Sequence, residues 1–319
     1  MRGAVENTGI EFTVTEHLDL WSLKRESGLD GWTMVDCSVG ADGLVYLLFS
    51  GHVPERINGM FVDTRANAHY RGIGLAVDWQ DGTVLGWEPY DFGVQEMNFH
   101  FIQPIGEDIL LLGSRSRCYR DGSVDQNAVV VDKNGRKLRE MCLGDGIQSC
   151  AVACDGRIIT SYFDEGVFGN FGWDRPVGSC GLIVWDRNGQ PIWKNKTYPI
   201  WDCYAMNLDD QENLWFYYYS EFNLVRMNFR SGDRVFKPQR DGMTAFLITA
   251  SGRGILTDGG YGDHSQFHYY ELKGQELRYK GGADIVCEGK KLLLKQYRFR
   301  GSKAVLLNNQ ERLFCREIL

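Results

Sequence analysis

A two-part phrase recurs six times along this chain: an apolar run leaving a tight turn, then a second apolar run closed by another turn. The first parts are ADGLVYLLFS (41–50), GEDILLLGS (106–114), CDGRIITSYF (154–163), DQENLWFYYY (210–219), SGRGILTDGG (251–260) and EGKKLLLKQY (288–297). The second parts are GLAVDWQDGTVLGW (74–87), AVVVDKNGRKLRE (128–140), GLIVWDRNGQPIWK (181–194), LVRMNFRSGDRVFK (224–237), HYYELKGQELRYK (268–280) and AVLLNNQERLFC (304–315). Each part reads as a β-hairpin, because pairs such as Asp42-Gly43, Asn134-Gly135 and Asn188-Gly189 tolerate the positive φ of two-residue turns. Two hairpins per repeat and six repeats predict an all-β chain: a six-bladed β-propeller with four antiparallel strands per blade.

The innermost strands are expected at 34–40, 98–105, 149–154, 202–208, 244–250 and 283–288, where the runs are small and apolar. One domain spans 1–319, with blades near 30–90, 91–145, 146–198, 199–240, 241–281 and 282–319. A repeat fold can carry so long a chain because each blade packs on its neighbours and needs no single large core. Residues 10–16 alternate like a strand and are expected to complete the last blade, closing the ring and covering an open edge. Helical signal is confined to 16–27. Three insertions, 52–72, 115–127 and 164–179, fall between second and third strands, so they are expected on one face, where propellers build binding surfaces.

The net charge of −7 and a pI near 5.5 argue against nucleic-acid partners, which call for a basic face. Arg115, Arg117 and Arg120 form a local basic cluster, read as solvated. No run approaches the roughly 20 apolar residues that span a bilayer, so no membrane is implied. The first residues lack the apolar core of a secretory signal, and nine cysteines do not read as a disulfide framework. Both point to the cytoplasm.

The decorated face is expected to gather Asp164, Glu165, Phe168, Asn170, Trp173, Trp201, Asp202, Tyr204, Glu221, Arg240, Asp258, Tyr261 and Arg298 around the mouth of the channel. Two readings of that face compete. In the favoured one it is a non-catalytic docking surface for a protein partner, needing no cofactor, since Tyr, Trp and Arg most often dominate interfaces; a small-molecule ligand is a lesser option. In the alternative, Asn98, Asp164, Asp202 and Asp258 supply oxygens to a hard cation of the Ca²⁺ type, with Glu165 or His264 as general base of a hydrolase or lactonase. Each of those ligands comes from a different blade, and no local ligand motif supports them. The six histidines show no zinc spacing, and Gly-x-Ser-x-Gly is absent.

The segments SYFDEGVFGNFGW (161–173), DCYAMN (202–207) and LWFYYYSEFNLVR (214–226) resemble a group of uncharacterised bacterial six-bladed propeller proteins, common in soil actinobacteria. The resemblance implies the fold and a bacterial source, and it carries over no catalytic residue. A toxin-neutralising, immunity-type role is one binding function open to such a bacterial propeller.

Overall fold

The structure, a computed structural model, describes residues 9–57, 60–61, 63–228 and 232–319. The N-terminal stretch holds β1 (Ile10–Val14), β2 (Leu18–Asp19) and α1 (Leu20–Glu26). Blade one follows with β3 (Thr33–Val39) and β4 (Val45–Ser50), a small hairpin of β5 (Arg56–Ile57) and β6 (Met60–Phe61), then β7 (Arg65–Val77) and β8 (Val84–Met97). Blade two is β9 (Phe101–Ile105), β10 (Asp108–Leu112), β11 (Ala128–Val131) and β12 (Lys137–Met141). Blade three is β13 (Ile147–Val152), β14 (Ile158–Tyr162), β15 (Leu182–Trp185) and β16 (Pro191–Lys194), with α2 (Asp164–Phe168) between its second and third strands. Blade four is β17 (Asp202–Leu208), β18 (Leu214–Tyr219), β19 (Asn223–Arg226) and β20 (Arg234–Phe236). Blade five is β21 (Phe246–Ile248), β22 (Gly254–Asp258), β23 (Phe267–Lys273) and β24 (Glu276–Cys287), with β25 (Lys290–Lys291) folded back on the end of β24. Blade six is β26 (Leu294–Arg300), β27 (Lys303–Asn308), β28 (Arg312–Glu317) and β2. Six antiparallel blades make the fold the expected six-bladed β-propeller.

Internal contacts divide the chain into two units. Trp21–Ala76 and Leu85–Cys203 hold the bulk of blades one to three, and Met1–Leu20, Val77–Val84 and Tyr204–Leu319 hold the bulk of blades four to six. Blade two shows why the central runs are apolar without alternation. Successive side chains of a strand point to opposite faces, and here both faces are covered. Leu110, Leu112, Ala128 and Val130 pack with Ile147, Ile158, Ile183 and Trp185 of blade three. Ile109, Leu111, Val129 and Val131 face the other way, onto Tyr46, Leu48, Tyr70, Tyr90 and Phe92 of blade one. Burying each of these Leu, Ile or Val side chains contributes roughly 1.5–3 kcal/mol. The outermost strands β12 and β16 have a free edge and are mostly exposed. Blades four to six repeat the logic. Trp215, Tyr217 and Leu224 meet Phe246, Ile248, Ile255 and Tyr270, and Leu247, Leu256 and Phe267 meet Ala304, Leu306 and Phe314.

Polar side chains register the inner strands of each unit. Ser38 Oγ donates to the Ile102 carbonyl at 2.6 Å, and the Val152 N–H reaches Gln103 Oε1 at 3.4 Å. Asn207 donates to the Phe246 carbonyl and accepts from the Gly301 N–H, both at 2.9 Å. The hairpin turns share a device too. Asp132, Asp186, Asp209 and Asn308 each accept, through Oδ1, the N–H groups two and four residues on, at 2.8–3.0 Å. The residue just before the second donor takes positive φ: Gly135, Gly189, Glu212 and Glu311.

The last blade begins later than the repeat suggests. Residues 283–288 are not an inner strand. Ala283–Cys287 continues β24, whose other edge carries β1 in parallel, Ile10 opposite Ala283 and Val14 opposite Cys287. Residues 10–14 thus extend blade five, and Leu18–Asp19, paired with Leu313 and Arg312, supply the fourth strand of blade six. The misleading signal is Glu288-Gly289, a positive-φ pair that turns β24 into β25 and mimics the first turn of a blade. Arg298 in consequence sits within the innermost strand, β26, not in a connecting loop. The helix expected within 16–27 is α1. α2 occupies a stretch expected as loop; one turn is too short to register as a period, although Asp164 and Glu165 suit a helix start.

Candidate functional site

In the unit of blades one to three, the segments between second and third strands are knitted into one layer. Arg115, 5% exposed, donates through Nε and Nη2 to both oxygens of Asp145, each at 2.9 Å, and through Nη1 to Glu165. Its guanidinium also lies 4.2 Å from the centre of the Phe171 ring. Asp125, buried, accepts from Thr64 Oγ1 at 2.6 Å, Tyr119 Oη and the Arg117 N–H at 3.1 Å, and Arg65 at 3.2 Å. Trp173 donates its indole N–H to the Ser116 carbonyl at 2.7 Å, and Cys118 N–H bonds the Phe171 carbonyl. Gly172, at φ +85°, fits there because a Cβ would stand 2.2 Å from the Cys118 carbonyl oxygen.

Three expectations change. Arg115 is a buried fastener and not a solvated cation; its fork needs a planar carboxylate partner, which Asp145 provides. Glu165 is unsuited as a general base: burial raises its carboxyl, but Arg115 and Asn170 outweigh that and hold it below the ordinary value. Trp173 is tied to the blade-two segment and is only partly exposed.

Beside this layer, α2 and the residues leading into β17 come together. Phe168 and Trp201 meet edge to face, ring centroids 6.2 Å apart, and remain 65% and 49% exposed. Burial and then the Asp164 charge push the Asp202 carboxyl up to about 7. Asp202 Oδ1 is shut off from water and accepts no hydrogen bond. A carboxyl poised near neutrality beside a second one can exchange a proton or receive a cation.

The unit of blades four to six carries a second aromatic group. Tyr204 stacks on Tyr219 at 6.2 Å, and its hydroxyl meets that of Tyr261 at 2.5 Å. Phe222, held at φ +54° in the β18–β19 turn, contacts Tyr219 at 5.3 Å and Tyr261 at 6.0 Å. The buried Tyr217 supports them, donating toward the Arg240 carbonyl and accepting the Gly242 N–H at 3.0 Å. Tyr261 lies on Gly242, where a Cβ would come within 2.4 Å of the ring. Tyr219 and Tyr261 still present 38% and 62% of their surface. Glu221 accepts from Tyr218 and Asn223, Lys237 lies 5.7 Å from the Phe222 ring centre, and Arg240 is exposed at the margin, 5.9 Å from that of Tyr279.

The metal-ligand set is not assembled as expected. Asp258, fully buried, is saturated by the Thr244 N–H and hydroxyl, His264 Nδ1 at 2.8 Å and Tyr297 Oη at 3.1 Å. It is a fastener, and it also occupies the His264 nitrogen it faces. Asn98 is buried against Tyr70. Among the described residues, no group of three or more His, Cys, Asp or Glu side chains is placed to hold a metal ion. Sequence reasoning missed Arg115–Asp145 and the Phe222 keystone. For the latter the run YYYSEF offered a signal, a turn residue that is neither Gly nor Asn among tyrosines.

Four-stranded blades bearing knitted insertions and two exposed aromatic groups define a β-propeller with elaborated loops. Residues 178–316 match the YxzG family, and no curated protein matches the chain. Among solved structures, the complex of KlAtg21 with the coiled-coil of AgAtg16 aligns over 90% of this chain and 81% of that one, at 7% identity and TM-score 0.52. Hsv2 of Kluyveromyces marxianus aligns over 90% and 76%, at 8% identity and TM-score 0.50. Virginiamycin B lyase of Staphylococcus aureus aligns over 95% and 99%, at 10% identity and TM-score 0.45. At such identities the likeness is one of fold.

Proposed function

We propose that the protein is a non-catalytic binding module that holds a protein partner against its exposed loop aromatics. The observation that carries this reading is the cluster of Tyr204, Tyr219, Phe222 and Tyr261. Buried Tyr217 and Gly242 pin its inner side, while Tyr219 and Tyr261 stay open to solvent. Rigid aromatic side chains backed by a packed core lose little entropy on binding and serve as hot spots. Of the groups that the hydrolase reading would use, Glu165 as general base is held by Arg115, and Asp258 as cation ligand is engaged by Thr244, Tyr297 and His264, the alternative base. A propeller that aligns with this one occurs in complex with a coiled-coil, a fold-level analogy only. All nine cysteines are free, which suits a reducing cytoplasm. In its narrowest form the role is immunity: a toxic protein masked by stoichiometric binding.

The test is capture from the native host with the full tagged chain, beside a Tyr219→Ala/Tyr261→Ala variant. A stoichiometric partner on the wild type, weakened at least roughly thirtyfold in the variant, is the expected result, since one such hot spot is worth about 2 kcal/mol. Equal retention by both proteins would refute the assignment.

A further inference from the structure

Around Phe168 and Trp201, two elements of the unit of blades one to three each contribute one ring and one carboxylate. On α2, Asp164 and Phe168 are four residues apart and so share one side of its single turn. At the start of β17, Trp201 and Asp202 are adjacent. The rings touch edge to face with most of Phe168 and half of Trp201 in solvent; the charge of Asp164 acts on the Asp202 carboxyl, whose buried Oδ1 accepts no hydrogen bond. The neighbouring carboxylates are neutralised within the chain: Asp145 and Glu165 by Arg115, Asp125 by Arg65. Asp164 and Asp202 have no such cation among the described residues. Two unneutralised carboxylates flanked by two exposed rings lack one thing, a planar cation.

We propose that this spot receives an arginine side chain of the protein partner, its guanidinium against the Trp201 and Phe168 rings and bonded to Asp164. Arginine fits better than lysine, because a flat, weakly hydrated guanidinium stacks on rings and forks onto carboxylate. A hard metal ion fits worse, because it seeks six or more oxygens and the rings offer none. Asp202, half-buried behind Asp164, adds charge: an arriving cation favours its ionised form, so binding strengthens as pH rises through 7. The net charge of −7 attracts a basic partner over longer range. This inference rests on the binding-module reading and names the chemistry that the partner brings.

The experiment titrates the full chain with N-acetyl-Gly-Arg-Gly-amide and with its uncharged citrulline counterpart. The readout is the Trp201 indole N–H resonance, assigned by Trp201→Phe. The arginine peptide is expected to shift that resonance saturably and the citrulline peptide about tenfold more weakly, the size of a combined cation–π and charge contribution. Asp164→Asn is expected to abolish the difference between the peptides. Asp164 is exposed, so this variant should keep its fold; the citrulline arm uses wild-type protein and is independent of folding. Equal shifts from both peptides, or an arginine preference that survives Asp164→Asn, overturn the proposal. No arginine shift, with partner capture still dependent on Tyr219 and Tyr261, overturns this site and leaves the binding-module reading standing. An arginine shift with no partner captured overturns the assignment to a protein and leaves a free guanidinium compound.

Discussion

Replacing Asp202 by Asn tests the carboxylate pair through stability. Burial, then the charge of Asp164, raises the Asp202 carboxyl from 3.8 to about 7 in the folded chain. Three pH units at 1.36 kcal/mol each set a ceiling of about 4 kcal/mol. The side chain is only half-buried, and solvent screening reduces the figure to about 1–2 kcal/mol. The sign follows from linkage. Between pH 4 and 7 the folded chain keeps a proton that the unfolded chain has released, so stability falls as pH rises through that window. Asn carries no proton to lose. Asp202→Asn should match the wild type near pH 4 and exceed it by about 1–2 kcal/mol at pH 8, or roughly 1.5–3 °C in Tm for a chain of 319 residues. Thermal melts of both proteins at pH 4.5, 6 and 8 measure the difference. His100 and His268, lowered to about 4 chiefly by burial, lose stability as pH falls below 6.5, but equally in both proteins. A difference independent of pH, or a variant weaker than wild type at pH 8, would refute the reasoning.

Arg115→Met strands Asp145 in the interior and should cost about 3–5 kcal/mol, read from urea unfolding, with residues 115–127 and 163–181 becoming sensitive to protease. A cost under about 1 kcal/mol would mean that the layer holds without its ion pair. Gly172→Ala forces a Cβ toward the Cys118 carbonyl at positive φ and should cost about 2 kcal/mol or more in a thermal scan, whereas Gly122→Ala, in open space at φ +85°, should cost about 1 kcal/mol. Asp132→Ala removes two backbone hydrogen bonds and the Arg136 Nε bond from an exposed turn and should lower Tm, while Asp132→Asn, which keeps an acceptor, should lower it by less than half as much in the same thermal scan.

The blades were legible because a propeller buries both faces of its central strands and turns each hairpin with Gly, Asp or Asn. ILLL at 109–112 and AVVV at 128–131 therefore stand out from any loop. Blade six was misplaced because its fourth strand, Leu18–Asp19, is only two residues long and lies nearly 300 residues away in sequence, roughly the whole chain. Within the candidate sites, the exposed rings Phe168, Trp201 and Tyr261 were legible, since large aromatics in long segments have few places to hide. Arg115 was not. Nothing in the string RSRCYR distinguishes the arginine that folds inward onto Asp145, 30 residues on, from the exposed Arg120. The pairing of Asp164 with Asp202 belongs to the same class of long-range contact, which only packed blades create.

Hydrogen exchange on the isolated complex of the full chain with its partner tests the binding role most directly. Protection confined to 164–170, 199–204, 217–224 and 258–262 is the predicted footprint. Protection of the outer strands β12 and β16 with those segments unchanged would contradict it.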